Sequence, residues 1–208
     1  MSTVLFVKAN DRDIEQAVSV KLYQAFLDSY KKSHPQDTII ELDLFKVELP
    51  YMNADMINGN FKVARGFDLT PAEQAAAEVS GKYIDQFLAA DKVVFAFPLW
   101  NFTIPAVLHT YLDYLCQAGK TFSYTAEGPV GLVKDKKVAL LNARGGIYSE
   151  GPAAAVEMSY NLVRNIMGFF GVTNLENVII EGHNMHQDQA QTIISNGLAQ
   201  AEKAAVNF

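Results

Sequence analysis

Three short segments carry residue types suited to ligand chemistry, at spacings that let them act together. The first runs Ala9-Asn10-Asp11-Arg12-Asp13-Ile14-Glu15-Gln16-Ala17-Val18-Ser19. If a helix starts at its end, the free backbone N–H groups there can hold a phosphate. Arg12 adds a cation and Ser19 a hydroxyl. The second is Pro98-Leu99-Trp100-Asn101-Phe102, where the only tryptophan stands beside an amide side chain. Such a turn can lay apolar surface along a planar ring while backbone groups and Asn101 meet the ring's polar edge. The third, Asn142-Ala143-Arg144-Gly145-Gly146-Ile147-Tyr148, holds adjacent glycines that let backbone approach a ligand closely. Taken singly, each has an ordinary reading: a polar connection, a tryptophan packed on a sheet edge, a plain turn.

Other chemistries lack their residues. No G-x-S-x-G elbow, H-E-x-x-H helix, G-x-G-x-x-G fingerprint or nucleotide P-loop occurs. The four histidines, His34, His109, His183 and His186, are dispersed. His183 and His186 share a loop, but no third metal ligand stands near them by spacing, so a structural or surface role is expected and no metal. The single cysteine, Cys116, excludes an internal disulfide and a cysteine zinc cluster. Its neighbours Leu112, Leu115 and Ala118 suggest a buried, inert thiol.

The elements that must position the three segments alternate along the chain. Apolar runs at residues 3–7, 38–42, 91–97, 136–141 and 177–181 have strand composition. Helical spacing appears in Val20, Tyr23, Leu27 and Tyr30, a pattern stopped by Ser33-His34-Pro35. Thr70-Pro71-Ala72-Glu73 reads as a capped helix start, and that helix is expected to reach about residue 90. Further helices are expected over 104–117, around Val156, Tyr160, Val163 and Met167, and around Ile194, Leu198, Ala201 and Ala205. Strands too apolar to have a wet face imply a parallel sheet covered on both sides. The expected fold is α/β: a doubly wound five-stranded parallel sheet in one domain over residues 1–208. Two stretches, 44–68 and 119–135, break the alternation and read as long irregular insertions.

Half of the 208 residues are hydrophobic and 19% are charged, enough apolar material for a large core. Seventeen basic against twenty-three acidic residues leave −6, which disfavours nucleic acid as a partner. The N-terminus shows no signal-peptide pattern and no apolar run is long enough to span a bilayer, so a cytoplasmic protein with no membrane association is expected.

In a doubly wound sheet, ligands bind at the carboxyl ends of the strands near the reversal of strand order. That rule brings all three segments to one crevice. A phosphate at the first and a flat ring between the other two match the outline of flavin mononucleotide.

Longer stretches add a resemblance. Pro98-Leu99-Trp100-Asn101-Phe102 resembles the flavin loop of the FMN-dependent NADH-azoreductases, flavodoxin-like relatives of the NAD(P)H quinone reductases. Residues 118–129, Ala-Gly-Lys-Thr-Phe-Ser-Tyr-Thr-Ala-Glu-Gly-Pro, look like that family's Ala-Gly-x-Thr-Phe-x-Tyr-Thr-x-x-Gly-Pro segment. Arg144-Gly145-Gly146-Ile147-Tyr148 is similar to its Gly-Gly loop, and the resemblance spans the chain. It implies a homodimer with FMN at the interface. Pro98, Leu99, Trp100, Asn101 and Phe102 would line the ring, and Ala143, Gly145 and Gly146 its pyrimidine side. Asn10, Ala17, Val18 and Ser19 would hold the phosphate, with alanine at 17 where the family often has serine. Phe122, Tyr124, Tyr148 and Phe61 would wall the substrate pocket, some from the partner subunit.

The implied reaction needs no catalytic side chain, because flavin N5 carries it. NADH, or NADPH, would deliver hydride, leave, and be replaced by a flat aromatic acceptor such as a quinone or azo compound, in ping-pong order. The alternatives are a flavodoxin-type electron carrier, which the acidic composition would suit, and a flavin-binding regulator without turnover.

Overall fold

A computed structural model describes residues 1–208. In chain order its elements are β1 (Thr3–Lys8), α1 (Val18–Ser33), β2 (Thr38–Asp43), α2 (Ala54–Arg65), α3 (Pro71–Ala89), β3 (Lys92–Pro98), α4 (Ala106–Leu115), β4 (Phe122–Thr125), β5 (Gly128–Gly131), β6 (Lys137–Arg144), α5 (Tyr160–Phe169), β7 (Asn174–Glu181) and α6 (Ala190–Asn207). A short 3-10 turn, Pro152–Val156, precedes α5. β1, β2, β3, β6 and β7 form one parallel sheet in the order β2-β1-β3-β6-β7. This is the expected doubly wound, flavodoxin-like α/β arrangement. The order reverses between β1 and β3, because the chain moves outward to β2 and then returns to the other side of β1.

Register explains why the strands are apolar throughout. Leu5 lies level with Ile40 on one side and Val93 on the other, and Val93 continues to Val138 and Leu175. Alternate residues point to opposite faces, and both faces are covered. Leu5, Val7, Val93, Phe95, Phe97, Val138 and Leu140 pack with residues of α3, α4 and α5 in a core of 27 buried residues. Val4, Phe6, Val94, Ala96, Ala139, Leu141 and Val178 pack with α1 and α6 in a second core of 16. Two-sided burial removes any need for polar alternation. No helix is long and apolar enough to cross a membrane.

Both stretches expected to be irregular contain regular structure. Residues 44–68 hold α2, whose start is capped by Asn53 accepting from Met56 N–H and whose end is the left-handed Gly66. Asn58-Gly59-Asn60 is poor helix sequence, so α2 depends on packing. Gly59 lies against α3 so closely that a Cβ there would come 2.4 Å from the Glu73 carbonyl oxygen. Glu73 completes the expected capping box with Thr70, and its carboxylate also meets Lys62 of α2 at 2.7 Å. Residues 119–135 hold the β4–β5 hairpin. Cys116 differs from expectation as well: it caps the end of α4 and is exposed. Desolvation of the thiol and the nearby Asp113 still push its pKa up to about 11, so it is a weak nucleophile.

Candidate functional site

At the reversal of strand order, the carboxyl edge of the sheet opens into a cleft of about 480 Å³. Nine of the twelve residues expected to hold the cofactor line it: Asn10, Ala17, Val18 and Ser19 before and at the start of α1, Pro98, Leu99 and Trp100 at the end of β3, and Ala143 and Gly145 at the end of β6. They converge because β1, β3 and β6 are adjacent and parallel, so their carboxyl ends point the same way.

The α1 end of the cleft is built from hydrogen-bond donors. Asn10 Nδ2 donates to Ser19 Oγ at 2.8 Å, and Asn10 Oδ1 accepts from Arg12 N–H at 3.0 Å, which folds the loop back on itself. Ala17 is the extended cap residue and has no side-chain acceptor. The N–H groups of Val18 and Ser19 therefore have no partner within the protein. A serine or aspartate cap would occupy one of them and stabilise the helix by about 1 kcal/mol. Alanine leaves both donors, and the positive end of the helix dipole, for an anion. Arg12 also lines this end. The donor set fits a phosphate.

The opposite end is shaped for a flat group. Leu99 N–H donates to the Ala143 carbonyl at 2.9 Å, carrying the β3–β6 ladder past the last strand residues. The chain then reverses through two bonds between Trp100 and Thr103, at 2.9 and 3.0 Å. Asn101 and Phe102 occupy the turn with φ of 49° and 70°. Left-handed backbone at a phenylalanine costs about 1–2 kcal/mol, so the tight turn is held against a local preference, as is common beside ligands. Trp100 is half-buried and its ring meets Phe45 edge-on at 6.3 Å. Asn101 lines a neighbouring groove with Tyr51 rather than the cleft itself. Phe102 is exposed, with its ring 6.5 Å from that of Tyr148.

Glycine at 145 leaves room for the Asn184 side chain, whose Nδ2 lies 2.2 Å from where a Cβ would stand. Gly146 does not line the cleft, and its open side faces the Tyr148 ring. Behind the pair, buried Arg144 reaches two carboxylates. Its Nη1 is 3.5 Å from Glu157 Oε1, and its Nε is 3.0 Å from Glu181 Oε2, close enough for an ion pair but too bent for a hydrogen bond. Glu181 also accepts from Tyr148 N–H, Ser149 N–H and the Ser149 hydroxyl. Burial alone would raise the Glu181 pKa. The Ser149 hydroxyl, the Tyr148 N–H and the Arg144 charge outweigh it and hold the carboxyl below its ordinary range. These contacts fix the loop after β6.

The expected substrate walls scatter in the single chain. Phe122 is a core residue, buried and packed 4.4 Å from the Phe169 ring, because it opens β4 with its side chain turned inward. It does not line the cleft of its own chain. Tyr124 is exposed on the hairpin, and Phe61 lines a separate, largely apolar cavity between α2 and the end of α4. Only Tyr148 stays near the cleft, through Gly146 and Phe102.

Three further residues in the lining were not expected there: Gln16, His183 and Asn184. The last two follow β7, and the carboxyl-edge rule could have found them had it been applied to every parallel strand. No group of three His, Cys, Asp or Glu side chains is placed to hold a metal ion.

A family model described as a flavodoxin-like fold matches residues 2–205. The chain is 67% identical over 208 residues to the FMN-dependent NADH:quinone oxidoreductase 4 of Bacillus cereus, covering all of both chains. It is 60% identical, with the same coverage, to the FMN-dependent NADH:quinone oxidoreductase 1 of Bacillus subtilis. Among solved structures it is similar to the azoreductase from Bacillus anthracis strain Sterne, with TM-score 0.98, 67% identity and full coverage of both chains. An FMN-dependent NADH-azoreductase from Bacillus anthracis strain Ames Ancestor, in complex with FMN, matches with TM-score 0.91 and 30% identity. That match covers 100% of this chain and 99% of the other.

Proposed function

We propose, from the premise that the chain belongs to the flavodoxin-like family of FMN-dependent NADH:quinone oxidoreductases, that it reduces quinones and azo compounds with NADH through bound FMN. The observation that carries this reading is the pairing, in one cleft, of an uncapped helix N-terminus with a glycine-backed slot beside a tryptophan. When bound, FMN would supply two-electron redox chemistry, through N5, between NADH and an acceptor that follows NADH at the same face. The residues position and tune. Val18 and Ser19 N–H groups, with Arg12, would hold the phosphate. Pro98, Leu99 and Trp100 would lie along one side of the ring, and Ala143 and Gly145 along another. Asn101, Phe102 and Gly146 would join them at the ring's edge.

A homodimer fits the placement of the remaining aromatics. Phe61 and Tyr124 are exposed and lie away from their own cleft, so they would serve the site of a second copy. A cytoplasmic location belongs to the same proposal.

The test is spectroscopic. The purified full chain loaded with FMN should bleach on adding NADH without oxygen and recover its colour on adding a quinone. Bound FMN that NADH leaves oxidised would favour an electron carrier or regulator, and a chain that takes up no FMN would refute the site.

A further inference from the structure

The wall of the cleft after β7 carries a group with a defined but unused function. Gly182 N–H donates to the Gly146 carbonyl at 3.1 Å, and Asn184 N–H donates to the Gly145 carbonyl at 2.9 Å. These bonds bracket His183 and hold it beside the glycine pair, where it lines the cleft. Its Nδ1 is shut off from solvent and meets no polar partner, whereas Nε2 makes no protein hydrogen bond and is not enclosed. Nδ1 is unpaired whether it carries the proton or a lone pair, so any hydrogen bond to a ligand must come through Nε2, the nitrogen that bears the proton in the commoner tautomer of a neutral imidazole side chain. Burial lowers the pKa of the imidazole, which keeps it neutral at pH 7. The result is a neutral N–H donor on a fixed backbone, facing an otherwise finished cleft.

We propose that His183 is a further cofactor-binding residue, donating its Nε2–H to an acceptor on the ring or ribityl part of the flavin. The inference rests on the FMN reading above and adds a residue to it. The phosphate is the wrong partner on two counts. It already has the Val18 and Ser19 N–H groups and Arg12. It would also draw a second proton onto the ring, leaving Nδ1–H buried and unpaired.

The test titrates the flavin-stripped full chain with FMN and, separately, with riboflavin, which lacks the phosphate. Flavin fluorescence reports binding. His183→Leu should weaken both ligands to the same degree, about 2- to 13-fold, the affinity equivalent of one net hydrogen bond. His183→Gln, which keeps a donor, should recover most of the loss. Equal melting temperatures of the flavin-free forms keep the comparison on binding, and no backbone bond involves the His183 N–H. Wild-type affinity in His183→Leu overturns the proposal, as does a loss seen with FMN but not with riboflavin. A wild-type chain that binds neither flavin overturns the cofactor reading itself, and this inference with it.

Discussion

Glu157→Gln removes a charge where water cannot replace it. Glu157 is 5% exposed and Arg144, its partner at 3.5 Å, is 3% exposed. The carboxylate also does the work of a helix cap, because Ser159 at the start of α5 makes no capping bond of its own. Glu157 Oε1 accepts from Ser159 N–H at 2.9 Å, Ser159 Oγ at 2.5 Å and Tyr160 N–H at 2.8 Å, and Oε2 accepts from Asn161 N–H at 3.0 Å. Burial would raise its pKa, but these bonds outweigh burial and lower it. Glutamine has the same shape, yet one oxygen becomes an NH2 group facing other donors. Removing one partner of a buried ion pair costs about 3–5 kcal/mol. Arg144 keeps Glu181, so the lower end, about 3 kcal/mol, is expected. For a chain of this length that lowers the melting temperature by about 6–12 °C. Urea unfolding followed by far-UV circular dichroism measures it, on Glu157→Gln, Arg144→Met and the double variant. The two losses should be less than additive by more than about 0.5 kcal/mol, the spread expected of independent sites. A Glu157→Gln protein within about 0.5 kcal/mol of wild type, or simple additivity, would refute the account of this network.

Gly59→Ala should destabilise the fold by about 1–3 kcal/mol through overpacking, although alanine is the better helix former. The added Cβ would meet backbone 2.4 Å away; a raised urea midpoint would contradict the α2–α3 packing. Acid should also weaken the protein. Hydrogen bonds hold the Glu157 and Glu181 carboxyls below their ordinary range despite burial, and the Lys62 and Thr70 bonds do so for Glu73. Lowered folded-state values mean stability that is complete above the unfolded pKa of about 4.3 and lost as pH falls through the folded values. Unfolding free energy should therefore drop as pH is taken below about 5, less steeply in Glu157→Gln, and a flat profile would count against all three carboxylates.

What could be read from the chain, and what could not, follows from where each element draws its stability. β1, β3 and β6 are buried on both faces, so their own side chains declare them, and Thr70 and Glu73 mark α3 through a cap built only from neighbours in sequence. α2 is different. Asn58-Gly59-Asn60 weakens it locally, and its stability comes from packing on α3, a contact that the residue types of α2 do not declare. Phe122 is a similar case: it stands in a stretch that breaks the alternation, yet it is buried and its ring packs 4.4 Å from that of Phe169, distant in sequence. In the cleft, the residues attached to β1, β3 and β6 were legible because strand order alone brings them together. The same rule reaches His183 and Asn184 through β7, but their exact place depends on two backbone bonds from the β7 loop to Gly145 and Gly146, and backbone bonds leave no mark on residue type. Gly145 is the exception that shows the rule. The Asn184 side chain fills the space where its Cβ would stand, so the absence of a side chain at 145 makes room for a residue 39 positions later in the chain.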